Sequence, residues 1–146
     1  MSLEDLYREV ILDHYRNPRH RTALTEPDAI AEGVNPLCGD EVTVELEFDG
    51  DRVTGVSVRG QGCSISQASA SMMSEAVDGK TRREIAELAE RFRAMLSDEE
   101  GDAAGDPDTP GSVLGDLEAL QGVRAYPVRI KCASLPWATL DDALQQ

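Results

Sequence analysis

The chain has 146 residues, 40% of them hydrophobic and 29% charged, which suits one domain with a real core and no covalent staples. Its 28 acidic residues outnumber 14 basic ones, for a formal net charge of −14, which argues against nucleic acid or an anionic membrane as the main partner and favours a protein with a complementary basic patch. Three cysteines, an odd number, exclude a closed disulfide framework.

Residues 2–15 open the chain with a capping-box-like start, Ser2 followed by Asp5. Leu3, Leu6, Val10, Ile11 and His14 follow at helical spacing and predict an amphipathic helix. The acids and arginine of this stretch are incompatible with a secretory leader. "RNPRHR" ends the helix, and residues 22–37, with two more prolines and little periodicity, read as loop. From Val42 the period changes to two. Val42, Val44, Leu46 and Phe48 form one face, "DGD" makes a turn, and Thr54, Val56 and Val58 form the matching face, so a β-hairpin with one buried side is expected. "GQG" breaks the second strand just before Cys63, and "SISQASASMMSEAVDG" reads as a helix whose serines permit close packing. The run Gly60 to Ser74 is the longest without charge and cannot span a bilayer, so the protein is expected in the cytosol. Thr81 and Glu84 form a second capping box ahead of an amphipathic helix carrying Ile85, Leu88, Ala89 and Phe92.

Residues 97–112 hold six acids, no base, two prolines and three glycines, and are expected as a flexible, solvated insertion. A short helix with Leu114, Leu117 and Leu120 should end at Gly122, and Tyr126–Lys131 leads to Cys132 at or near the start of a last helix carrying Leu135, Trp137, Leu140 and Leu144. The order predicts an α+β fold over residues 1–146: a small antiparallel sheet packed on one face by several helices.

Each cysteine is expected at an element boundary, and one end of the sheet could gather all three. Cys38 lies in the turn-forming "NPLCGD", with Asp40 two residues on. Cys63 lies at a helix N-terminus, where backbone N–H groups and the dipole favour an anionic sulfur. Three thiolates and a carboxylate suit tetrahedral zinc, and would equally suit an iron–sulfur cluster. The spacings contain no CxxC pair, so residue chemistry alone leaves both open beside three inert thiols. His14 shares the apolar face of the first helix and reads as packing, whereas His20, in a basic turn, reads as solvated.

The local sequences add more. "NPLCGD", "GQGCSISQASASMMSE" and "PVRIKCASLPW", in that order, resemble the three cysteine motifs of the U-type iron–sulfur assembly family, and "LYREVILDHYRNPRH" resembles its N-terminal helix. In the IscU-like scaffold branch, which builds a [2Fe–2S] cluster, a histidine directly precedes the third cysteine. Here that position is Lys131, a poor ligand while charged. The SufU-like branch lacks that histidine and carries an insertion between the second and third cysteines, as this chain does. The resemblance therefore implies a zinc-dependent sulfurtransferase with Cys38, Asp40, Cys63 and Cys132 as zinc ligands. Its implied partners are a PLP-dependent, SufS-like cysteine desulfurase and a downstream iron–sulfur scaffold. It further implies that a desulfurase histidine displaces Cys38, whose freed thiolate takes the persulfide sulfur. Arg129 lies three residues before Cys132. On a helix both would face one way, and Arg129 is expected to hold or release the Cys38–Asp40 loop.

Overall fold

A computed structural model describes residues 2–36, 39–97 and 114–146. Three antiparallel strands, β1 (Ala29–Asn35), β2 (Asp40–Asp49) and β3 (Arg52–Gln61), form one sheet in chain order. Helices α1 (Leu3–Arg16), α2 (Ser64–Val77), α3 (Arg82–Ser97) and α4 (Pro127–Leu144), with a 3₁₀ helix at Gly115–Ala125, complete the α+β fold. Helix α4 packs on β1 and β2, α2 packs on β3 beside it, and α1 lies against α2. The core between sheet and helices includes Val44, Leu46, Val58, Met73, Trp137 and Leu140. Each fully buried side chain of that kind contributes about 1.5–3 kcal/mol. No described helix is long and apolar enough to cross a membrane.

Both helix starts predicted from capping boxes are made. Ser2 and Asp5 exchange side-chain and backbone bonds at α1. At α3 the Thr81 N–H donates to Glu84 Oε1, and the Glu84 N–H donates to Thr81 Oγ1.

The departures from expectation have local causes. Residues 29–35, expected as loop, are strand β1. Its inward face is Ala29, Ala31, Gly33 and Asn35, too small to show a hydrophobic alternation, while Ile30 and Val34 are exposed. Small residues are needed there because α4 comes close: a Cβ on Gly33 would stand 2.0 Å from Thr139 Oγ1. In β3 the pairing slips at Glu47/Phe48, leaving Thr54 as the extra residue between Gly55 and Val53. This bulge reverses the face of the residues before it, so Val53 is buried and Thr54, expected inside, is exposed. The 3₁₀ helix runs past Gly122 to Ala125, and α4 starts at Pro127 rather than near Cys132. Proline at the first helical position needs no N–H partner and has its φ preset for the helix. The acidic insertion falls, from residue 98 onward, outside the described residues.

Candidate metal centre

The hairpin register sets the first half of the site. Asp40 opens β2 opposite Asn35, and Glu41 pairs with Gln61 at the end of β3. The start of β2 therefore meets the chain as it leaves β3 for α2. Cys63 is the N-cap of α2, and its N–H donates to Asp40 Oδ1 at 2.8 Å. Its Sγ lies 3.7 Å from Asp40 Oδ2 and accepts the Ser66 N–H at 3.5 Å, so sulfur fills the capping role usually taken by an oxygen. Gly62 makes this contact possible. Its φ is +151°, and a Cβ there would stand 2.1 Å from Asp40 Oδ1.

The second half is brought by α4, where Cys132 is buried in the helix interior rather than at a boundary. The Ser69 hydroxyl of α2 donates to the Ala133 carbonyl at 2.6 Å, tying the helix that starts at Cys63 to the residue after Cys132. With the close approach at Gly33, this fixes α4 against both α2 and β1. The donor atoms of Asp40, Cys63 and Cys132 consequently all lie within 4.8 Å of one another. Thiolates about 2.3 Å from a tetrahedral zinc stand about 3.8 Å apart, so small side-chain adjustments would close the shell.

Charge gives an independent test of fit. Asp40 is fully buried, and among the described residues no arginine, lysine or histidine pairs with it. The Cys63 N–H and the weak donation of its thiol at 3.7 Å bring no positive charge to a buried carboxylate; a cation coordinated at the same point would. The donor set and this uncompensated charge fit a divalent metal that accepts sulfur and oxygen.

Of the site residues expected from sequence, the structure brings together Asp40, Cys63 and Cys132. Cys38 lies outside the described residues, in the β1–β2 connection. Arg129 does lie on the same helix as Cys132. It is exposed, and its guanidinium stands 5.1 Å from the centre of the Tyr126 ring. Lys131 is exposed. His14 is buried as expected for packing, but it is also hydrogen-bonded, with Nδ1 2.8 Å from Ser71 Oγ and Nε2 2.8 Å from Asp116 Oδ2. His20, expected in solvent, is half-buried at φ +55° with Nδ1 3.0 Å from Ser74 Oγ. The residues sequence reasoning passed over are Gly62 and Ser69. A glycine directly before a helix-capping cysteine was the available signal for the first. The serine-rich face of α2, read only as small, hid the second.

Comparison with known proteins shows what the chain is similar to. The family model described as "NifU-like N terminal domain" matches residues 6–133. The zinc-dependent sulfurtransferase SufU of Bacillus subtilis is 43% identical over 140 residues, covering 96% of this chain and 90% of that protein. The iron–sulfur cluster assembly scaffold protein IscU of Streptococcus pyogenes is 38% identical, covering 99% and 86%. A crystal structure from Fervidobacterium islandicum, described as an iron–sulfur cluster assembly scaffold for the SUF system, superposes with a TM-score of 0.80 at 36% identity, covering 93% of this chain and 94% of that one.

Proposed function

Because the chain belongs to the NifU-like N-terminal domain family of iron–sulfur cluster assembly, we propose that it acts there as a zinc-dependent sulfurtransferase. In this reading it accepts persulfide sulfur from a cysteine desulfurase on Cys38 and passes it to a downstream scaffold in the cytoplasm. The observation that carries it is the buried Asp40 carboxylate facing two cysteines with no cationic partner among the described residues, together with an exposed lysine where the scaffold motif has a histidine.

Cys38, Asp40, Cys63 and Cys132 would hold the zinc. Bound there, it would keep its thiol ligands deprotonated and protected from premature oxidation. Asp40 begins a paired strand, Cys63 caps a helix and Cys132 sits inside one. Cys38, between Pro36 and Gly39 in the β1–β2 connection, is assigned as the sulfur that acts. Its thiolate attacks the terminal sulfur of the desulfurase persulfide, and a new S–S bond forms on Cys38. The donor S–S bond breaks, and its electron pair stays on the desulfurase cysteine as thiolate. Arg129, on the helix that carries Cys132, is assigned to steadying the Cys38–Asp40 connection.

The test is incubation of the zinc-loaded chain with its cysteine desulfurase and cysteine. Sulfide release should rise, Cys38 should gain the mass of one sulfur atom, and Cys38→Ala should abolish the stimulation. Arg129→Ala should weaken the stimulation with zinc retained. The scaffold names of several relatives support the alternative, assembly of a [2Fe–2S] cluster. A stable, transferable chromophore after anaerobic reconstitution, with no desulfurase stimulation, would decide for it.

A further inference from the structure

Beside Cys63, α1, the 3₁₀ helix and the first turns of α2 and α4 enclose an open groove of about 420 Å³. Its walls carry Tyr7 and Ile11 from α1, Ile65 from α2 and Tyr126 at the head of α4. Two cations, Arg8 and Arg129, also line it, and among the described residues no acid does. In a chain with 28 acids and 14 bases this is a local inversion of charge. The groove is also held in shape. Gln121 Nε2 donates to the Tyr7 hydroxyl at 2.7 Å, and the 2.8 Å His14–Asp116 bond ties α1 to the 3₁₀ helix a second time. Tyr126 is 56% exposed, with the Arg129 guanidinium over its ring, so an apolar surface and a cation are presented together.

We propose that this groove docks an acidic segment with an apolar anchor, contributed by the protein that donates sulfur; the inference rests on the sulfurtransferase reading above. Carboxylates on such a segment would meet Arg8 and Arg129, while its anchor would cover Tyr7, Ile11 and Tyr126. Ser64, the residue after Cys63, lines the same groove, so the docked segment would lie against the base of the thiol cluster. A second copy of the chain fits less well, because it would bring another net −14 to a surface already so charged. A small free anion would leave the apolar walls exposed.

The experiment uses the full-length, zinc-loaded chain and its desulfurase, with affinity measured by calorimetry at low and high salt. Arg8→Glu should weaken binding about tenfold at low salt, and the deficit should shrink at high salt. Arg8→Lys should restore most of the affinity. Tyr126→Ser, at an exposed position, should weaken binding at both salt concentrations. Zinc content and helical circular dichroism should match wild type in all three variants. Wild-type affinity in both Arg8→Glu and Tyr126→Ser, with desulfurase stimulation intact, overturns the groove proposal alone. Dissociation of a homodimer by these variants in sedimentation assigns the groove to a second copy and also overturns it. If the wild-type chain fails to stimulate the desulfurase, the sulfurtransferase reading and the groove assignment fall together.

Discussion

Among the described residues, two clusters each bring three possible metal ligands within 4.8 Å of one another, and they differ in how their charge is balanced. Asp40, Cys63 and Cys132 form the first; His14, Glu75 and Asp116 form the second, where α1, α2 and the 3₁₀ helix meet. In the second, every strong group already has a partner. Ser71 accepts the Arg19 N–H at 2.9 Å, and the network is complete when its hydroxyl donates to His14 Nδ1 and the His14 Nε2–H donates to Asp116. Glu75 is 3.5 Å from Arg19 Nε, and both carboxylates are about half exposed. In the first cluster the carboxylate is buried with no cationic partner among the described residues, and two sulfurs share the space around it. Ligand spacing is therefore a weak criterion, and uncompensated buried charge a stronger one.

This contrast can be broken directly. The largest expected effect is loss of metal. Asp40→Asn or Cys63→Ser should abolish bound zinc and lower Tm, whereas Asp116→Asn should leave zinc content at the wild-type level, both read by elemental analysis. Equal zinc loss in Asp116→Asn would remove the distinction between the clusters. Next comes Gly62→Ala. The clash with Asp40 Oδ1 and the strained φ should cost about 1–3 kcal/mol and sharply reduce zinc affinity, measured by competition with a chromophoric chelator. At the other cluster, His14→Ala should cost a similar 2–3 kcal/mol in denaturant unfolding, with zinc content unchanged. Ser69→Ala should cost about 1–2 kcal/mol by leaving its bond to Ala133 unmade. It should also perturb the sulfur-to-metal charge-transfer bands of the cobalt-substituted protein.

The smallest effect belongs to a capping box far from either cluster. The Thr81 N–H holds the Glu84 carboxyl below the usual carboxylate range. A lowered folded-state pKa means that this contribution is complete at neutral pH and lost as pH falls through the lowered value. Glu84→Ala, which removes the carboxylate that accepts this N–H, should lower Tm by a few degrees at neutral pH and by less at strongly acidic pH.

The parts of the fold legible in the sequence are those where side chains announce their environment. The β2 alternation of Val42, Val44 and Leu46 and the capping boxes of α1 and α3 are such cases. Strand β1 was hidden because its inner face carries alanine, glycine and asparagine in place of large aliphatic residues, with α4 in close approach at Gly33, and two aliphatic residues point outward. The Thr54 bulge was hidden because a one-residue slip leaves no compositional mark. The meeting of Asp40 and Cys63 could be anticipated from their places relative to the hairpin, whereas Cys132, expected at an element boundary, arrives from inside α4. The devices that hold the cluster could not be anticipated, because Gly62 and Ser69 act through tertiary contacts with Asp40 and Ala133. His14 was correctly placed in the interior, but the partners that let an imidazole sit there come from α2 and the 3₁₀ helix, 57 and 102 residues away.

The central claim, a zinc centre built on Asp40, Cys63 and Cys132, is tested most directly by elemental analysis joined to X-ray absorption at the metal edge of the purified protein. The account predicts one zinc per chain in a tetrahedral shell of sulfur with a single oxygen, without labile sulfide. Iron accompanied by labile sulfide, or zinc in a shell of nitrogen and oxygen alone, would contradict it.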